Sequence, residues 1–178
     1  WQRALGMLRD MQRRCVMPEE ITYNTAISAC EKGAHWLKVL GLLSDMRQRR
    51  LEPDVFTYNG AMSGCARGVQ WLDAVVMLSD MTQQRLQPDV VTYSTAISAL
   101  EKGTQWLEAL GMFSSVRQRR LELNVITYGA ALGACEKGAH WLGAIGMLSD
   151  MRRRRLEANV ITYNAAISAC QKGTQWFR

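Results

Sequence analysis

VVTYSTAISALEKGTQWLEALGMFSSVRQRRLELN, residues 90–124, decides how the whole chain is read, because the sequence on either side repeats it with substitutions. Tyr23, Tyr58, Tyr93, Tyr128 and Tyr163 recur 35 residues apart, as do Trp1, Trp36, Trp71, Trp106, Trp141 and Trp176, without insertion or deletion. One unit of this size cannot bury a core alone. A fixed period of this length therefore predicts an all-α solenoid, in which neighbouring helix pairs stack to make one continuous core. Residues 1–19 read as the second half of a unit, 20–54, 55–89, 90–124 and 125–159 as four full units, and 160–178 as the first half of another. On this reading the sequence is expected to be a fragment of a longer array.

Composition narrows the classes of function. The 178 residues carry a formal net charge of +6 and a pI near 9.3, which favours an anionic partner. No run approaches the roughly 18 apolar residues that a membrane span needs, so no membrane partner is expected. Cys30, Cys65, Cys135 and Cys170 share one repeat position with Leu100, the behaviour of a small core site. Equivalent points on stacked helices lie roughly 10 Å apart, too far for disulfides, so buried reduced thiols are expected.

Two helical periods fill each unit, divided by Gly33, Gly68, Gly103, Gly138 or Gly173. The first helix is predicted over roughly Ile21–Lys32, with Tyr23, Ala26, Ile27 and Cys30 forming the core stripe. The second is predicted over about Trp36–Arg49, with Trp36, Leu40, Leu43 and Met46 inward. Glu52-Pro53-Asp54 and its relatives stop one helix and cap the next, since proline cannot continue a helix and Asp or Asn caps one well. Gly41, Gly111 and Gly146 lie inside second helices at about 1 kcal/mol each relative to alanine. Close helix contact is the expected compensation.

A second stripe runs along the first helix: Ile21, Asn24, Ser28 and Lys32; then Phe56, Asn59, Ser63 and Arg67; Val91, Ser94, Ser98 and Lys102; Ile126, Gly129, Gly133 and Lys137; Ile161, Asn164, Ser168 and Lys172. An apolar group can press on a base, a polar one can meet its edge, and a cation can meet a phosphate. A solvated face with a cation favouring the helix dipole would look similar. It would not require Lys or Arg in every copy while the residue after the tyrosine varies. The last residue of each full unit also varies, as Asp54, Asp89, Asn124 and Asn159. Capping explains Asp and Asn equally well here, although a carboxylate can only accept a hydrogen bond whereas an amide also donates.

With Val-Thr-Tyr or Ile-Thr-Tyr, Ala-Ile-Ser-Ala-Cys, Glu-Lys-Gly and Leu-Xaa-Pro-Asp recurring at this period, the chain resembles the pentatricopeptide repeat family over its whole length. The resemblance implies a right-handed superhelix of antiparallel helix pairs that binds single-stranded RNA, one base per unit. It implies that Asn24 with Asp54, Asn59 with Asp89, Ser94 with Asn124, and Gly129 with Asn159 select bases, and that Asn164 belongs to the same set. It implies that Ile21, Phe56, Val91, Ile126 and Ile161 sandwich the bases, and that Lys32, Arg67, Lys102, Lys137 and Lys172 contact phosphates. Units of one length are similar to those of family members in mitochondria or chloroplasts that act in RNA processing, stability or translation, beside other RNA-processing proteins. Departures are the tryptophan that opens the second helix, the glycines within it, Gly129, which has no side chain to read a base, and Glu19 where Asp or Asn is usual.

No catalytic residue, metal, cofactor or small-molecule substrate is expected. His35 and His140 alternate with Gln70, Gln105 and Gln175 at one repeat position, which a general base would not tolerate. The tryptophans read as packing rather than base stacking. The basic runs Arg47–Arg50, Arg117–Arg120 and Arg152–Arg155 fit an extended RNA footprint and solvated helix ends equally. A protein-binding scaffold of the tetratricopeptide kind is the alternative, disfavoured by the basic stripe.

Overall fold

The computed structural model describes residues 1–119 and 121–174. Among the described residues there are ten helices and no strand. First helices are α2 (Glu20–Lys32), α4 (Val55–Arg67), α6 (Val90–Lys102), α8 (Val125–Lys137) and α10 (Val160–Thr174). Second helices are α1 (Gln2–Arg13), α3 (Trp36–Gln48), α5 (Trp71–Gln83), α7 (Trp106–Gln118) and α9 (Trp141–Arg153).

The chain forms two compact units, Trp1–Pro88 and Asp89–Arg178. In the first, α2 packs on α1, α3 and α4, and α4 also packs on α3 and α5. In the second, α8 packs on α6, α7, α9 and α10, and α10 also packs on α9. Within each unit first helices therefore pack on first helices, whereas second helices meet through long side chains, as Arg47 of α3 does with Asp80 of α5 and Arg117 of α7 with Asp150 of α9. The first helices of each unit form the tighter layer.

Burial follows the expected first-helix stripe: Tyr23, Ala26, Ile27 and Cys30 are buried, as are Tyr58, Ala61, Met62 and Cys65 one repeat later. The second helix turns its face slightly from the expected one. Val39, Leu42, Leu43 and Met46 are buried, whereas Trp36 and Leu40 are half-buried. The tyrosine hydroxyls reach acids on the second helices. Tyr23 donates to Asp45, Tyr58 to Asp80 at 3.0 Å and Tyr128 to Asp150 at 2.6 Å. Ser115 replaces that acid in the third full repeat, and there the Arg119 guanidinium lies 5.8 Å from the Tyr93 ring centre. Burial, then the Asp45 hydrogen bond, pushes the Tyr23 phenol up to about 12. Burial raises the Cys65 thiol to about 12 and the Cys135 thiol to about 11, so both stay protonated and inert near neutral pH.

One detail departs from expectation. Gly41, Gly111 and Gly146 face open space, so no close helix contact offsets their helix cost. The dividing glycines, conversely, are sterically required. A Cβ on Gly68 would sit 2.3 Å from Trp36, and one on Gly138 2.4 Å from Trp106. Trp36 and Trp106 are thus clamps on the glycine of the following repeat, which accounts for their packing role. The left-handed turn falls on the residue after the glycine, with φ 55° at Ala34, 58° at Val69, 62° at Thr104 and 52° at Ala139. Leu8 is buried on α1, which packs against α2, while Met7, Val16 and Met17 are exposed.

Candidate nucleic-acid interface

Ile21, Phe56, Val91, Ile126 and Ile161 are between 54% and 75% exposed. Residues this apolar are ordinarily buried, so a row of them on the tighter helix layer marks a surface with a use. In the first unit Ile21, Asn24, Ser28 and Lys32 of α2 line one open cavity of about 750 Å³ with Phe56 of α4 and Trp1. Four sequence-predicted stripe residues and the next repeat's apolar residue are thereby brought together. The opening between Ile21 and Phe56 offers apolar walls, with an amide at one level and an ammonium at another.

The last residue of each full repeat is a helix cap. Asp54, Asp89, Asn124 and Asn159 accept through Oδ1 from the backbone N–H of Thr57, Thr92, Thr127 and Thr162 at 2.8, 2.8, 2.9 and 3.0 Å. Glu19, one carbon longer, makes no side-chain cap bond to α2. Capping and base selection are not exclusive, because the cap bond occupies only part of each side chain. Burial alone would raise the Asp54 carboxyl, but hydrogen bonds from the Thr57 N–H, the Thr57 hydroxyl and Asn24 outweigh it and hold the group below the usual carboxylate range. Asp54 is therefore an anion with Oδ2 still able to accept.

Two of the paired positions, Asn24 with Asp54 and Ser94 with Asn124, are brought together through a threonine. Thr57 Oγ1 lies 2.6 Å from Asn24 Oδ1 and 2.7 Å from Asp54 Oδ1. Ser94 Oγ lies 2.5 Å from Thr127 Oγ1, which is 2.8 Å from Asn124 Oδ1. Gly129 offers no such link. Thr162 Oγ1 turns instead to the main-chain oxygen of Asn159 at 2.7 Å. Asn59 belongs to the first unit and Asp89 to the second, and Asn164 is exposed on α10.

The cations are not a bare stripe. Arg67 pairs with Glu31 at 3.6 Å, Lys137 with Glu101 at 2.7 Å and Lys172 with Glu136 at 2.9 Å, each acid coming from the preceding repeat. The Lys172 hydrogen bond holds the Glu136 carboxyl below its ordinary value. Lys32 lines the cavity and Lys102 is exposed. Sequence reasoning missed both the glutamates and the threonines. Their signals were present, in Glu31, Glu101 and Glu136 directly before the cations, and in a threonine before every tyrosine.

Other candidates resolve toward packing. Arg47 donates to Asp80 and to Tyr58 Oη, Arg117 lies 3.8 Å from Asp150, and Arg154 pairs with Asp150 at 3.2 Å. Arg120, the last member of its basic run, lies outside the described residues, as do Gln175 and Trp176. His35 packs on Trp1 with ring centres 4.1 Å apart, and His140 approaches Trp106 at 6.4 Å. Among the described residues no group of three or more His, Cys, Asp or Glu could hold a metal, and no helix is long and apolar enough to cross a membrane.

Comparison with known proteins agrees with this architecture. Residues 18–67 match the PPR repeat family, 56–86 the PPR repeat and 76–138 the pentatricopeptide repeat domain. No curated protein sequence matches the chain. Among solved structures, the pentatricopeptide repeat protein PPR10 in complex with an 18-nt psaJ RNA element is similar at 22% identity and TM-score 0.77, over 91% of this chain and 24% of that one. PPR10 from maize is similar at 28% identity and TM-score 0.74, over 94% and 24%. The PPR domain of Arabidopsis thaliana protein-only RNase P 1, in complex with tRNA, is similar at 13% identity and TM-score 0.81, over 96% and 90%. The chain thus spans about a quarter of the length of PPR10. These likenesses show the fold, an α-solenoid of stacked antiparallel helix pairs.

Proposed function

Because the chain belongs to the pentatricopeptide repeat family, we propose that it binds single-stranded RNA sequence-selectively, one base per 35-residue repeat, as part of a longer array. The observation that carries this is the cavity between Ile21 and Phe56, where apolar walls, the Asn24 amide and the Lys32 ammonium converge. A planar base between two exposed apolar side chains removes both from water, and the amide then lies at the base edge. Ile126 and Ile161 repeat the same exposure in the second unit. Solved relatives bound to an RNA element and to tRNA support the same partner.

Base preference follows from which hydrogen-bonding atoms remain. Asp54 Oδ1 faces the Thr57 N–H, which leaves carboxylate acceptor capacity for a ring N–H, as in uracil. Asn124 Oδ1 accepts from both the N–H and the hydroxyl of Thr127, so its two lone pairs are used and its Nδ2 donates, as the ring nitrogen of adenine requires. Gly129 with Asn159 reads weakly. The array acts without chemistry of its own, covering or opening a site on an organellar transcript for other processing factors. Selection from a random single-stranded RNA pool tests the reading. Enriched uracil in register with the Asn24 repeat and adenine in register with the Ser94 repeat are expected. A protein that enriches no sequence and retains no RNA at low salt is instead a scaffold for peptides.

A further inference from the structure

We propose that Thr57 and Thr127, each preceding a tyrosine, are positioning residues for base selection, locking the two proposed selectors of the preceding repeat into one reading. The inference rests on the base-reading function proposed above. Thr57, Thr92, Thr127 and Thr162 are at most 1% exposed, each at the third position of a first helix. A buried threonine usually serves packing or its own cap, but these hydroxyls do more. Thr57 Oγ1 lies between Asn24 and Asp54, its one proton shared between their two oxygens, and Thr127 bridges Ser94 and Asn124, with every oxygen separation between 2.5 and 2.8 Å.

The proton accounting gives the bridge a direction. The Thr127 N–H can only donate, so the Asn124 atom facing it must be the oxygen. Ser94 Oγ lies 2.5 Å from Thr127 Oγ1 and 2.6 Å from the Val90 carbonyl oxygen, and in the bridge it gives its proton to the threonine oxygen. The Thr127 hydroxyl is then free to donate to Asn124 Oδ1, completing that oxygen's second bond. Rotating the amide would place Nδ2 against two donors, so Asn124 presents a donor outward and nothing else. With one bond instead of two, the side chain can swing and the reading blurs. The fourth full repeat shows that state. With glycine at position 129, the Thr162 hydroxyl goes to the main chain of Asn159, and Asn159 Oδ1 keeps the N–H bond alone.

Two sets of four single-stranded RNAs, U-U-X-A varied only at X, the base expected to face Ser94 and Asn124, and U-U-A-Z varied only at the fourth base Z, test this on the full chain. The parent is expected to favour adenine at X. Thr127→Val keeps the shape but removes the hydroxyl, and should cut that preference about tenfold while leaving the other positions unchanged. Thr127→Ser should retain it, and Thr162→Val, an equally buried site with no bridge, should alter no base preference. Gly129→Ser provides a gain of function that does not depend on tolerating a core change. A Cβ at Gly129 meets only Thr162 Cγ2, at 3.9 Å, so there is room for the side chain. It should create an adenine preference at the fourth base, and Thr162→Val added to it should abolish that gain. The proposal is overturned if Thr127→Val keeps the adenine preference, or if Gly129→Ser acts equally with and without the Thr162 hydroxyl. Asn124→Asp separates the two levels. If it moves X away from adenine while Thr127→Val does not, base reading stands and only the threonine role falls; if it too leaves X unchanged, the base reading falls as well.

Discussion

Asp150 is the most enclosed acid among those that meet the tyrosines, 8% exposed; it accepts from Tyr128 and Arg154 and forms an ion pair with Arg117 at 3.8 Å. Burial alone would raise its carboxyl, but these donors outweigh it and hold it below the usual carboxylate range. A carboxylate depressed in the folded state contributes stability that is complete above its unfolded value, near pH 4, and is lost as pH falls through the lower folded value. Asp150→Asn should cost about 2 kcal/mol at pH 7 and flatten the loss of stability below about pH 4, as read by denaturant unfolding across pH. An unchanged acid limb would mean that other carboxylates govern it. Glu101 is the counterpart on the proposed RNA face. Its pair with Lys137 is partly exposed, so it contributes at most about 1 kcal/mol to folding, yet it neutralises a cation offered to phosphate. Glu101→Gln should tighten binding to all RNAs alike and steepen the salt dependence by up to about 0.7 in slope, measured by titration at several ionic strengths.

At the scale of the element, two adjacent residues divide one task. The residue that ends α4 or α8 must be small because the tryptophan of the preceding repeat lies on it, and the residue after it turns left-handed. Glycine serves the first need, so the second falls on Ala34, Val69, Thr104 and Ala139, each at a cost of about 1 kcal/mol or more. Gly68→Ala should therefore destabilise by about 1–3 kcal/mol by forcing the Trp36 ring to move. Ala139→Gly should be neutral or stabilise by up to about 1 kcal/mol, since relief of strain is partly offset by the extra freedom of the unfolded chain. Thermal unfolding of the two variants gives opposite shifts on this account. The sequence shows the glycine clearly but not the division, because the tryptophan responsible lies 32 residues earlier and meets the glycine only after the units stack. The same blindness produced the expectation that Gly41, Gly111 and Gly146 are packed, when they face open space.

For the whole molecule, periodicity made the fold legible. Tyr23, Ala26, Ile27 and Cys30 already place a buried stripe, and the exposed row from Ile21 to Ile161 is what remains on the other side. Legibility stopped at contacts between repeats. Thr57 reads as an ordinary cap residue until Asn24, 33 positions away, is found against it, and Glu101 reads as a solvated neighbour of Lys102 until Lys137 stacks above it. These cross-repeat contacts tie the selectors and the cations of successive repeats to one another, and the base-by-base account rests on them. Its most direct test is Asp54→Asn, which keeps the cap and the shape but replaces an acceptor with a donor. Selection from a random single-stranded RNA pool should change uracil to cytosine at the base facing Asn24, with about 1–3 kcal/mol of discrimination, and leave every other position as it was. If the same base, or no base, is preferred there before and after the change, Asp54 is a helix cap alone and the account of base reading is wrong.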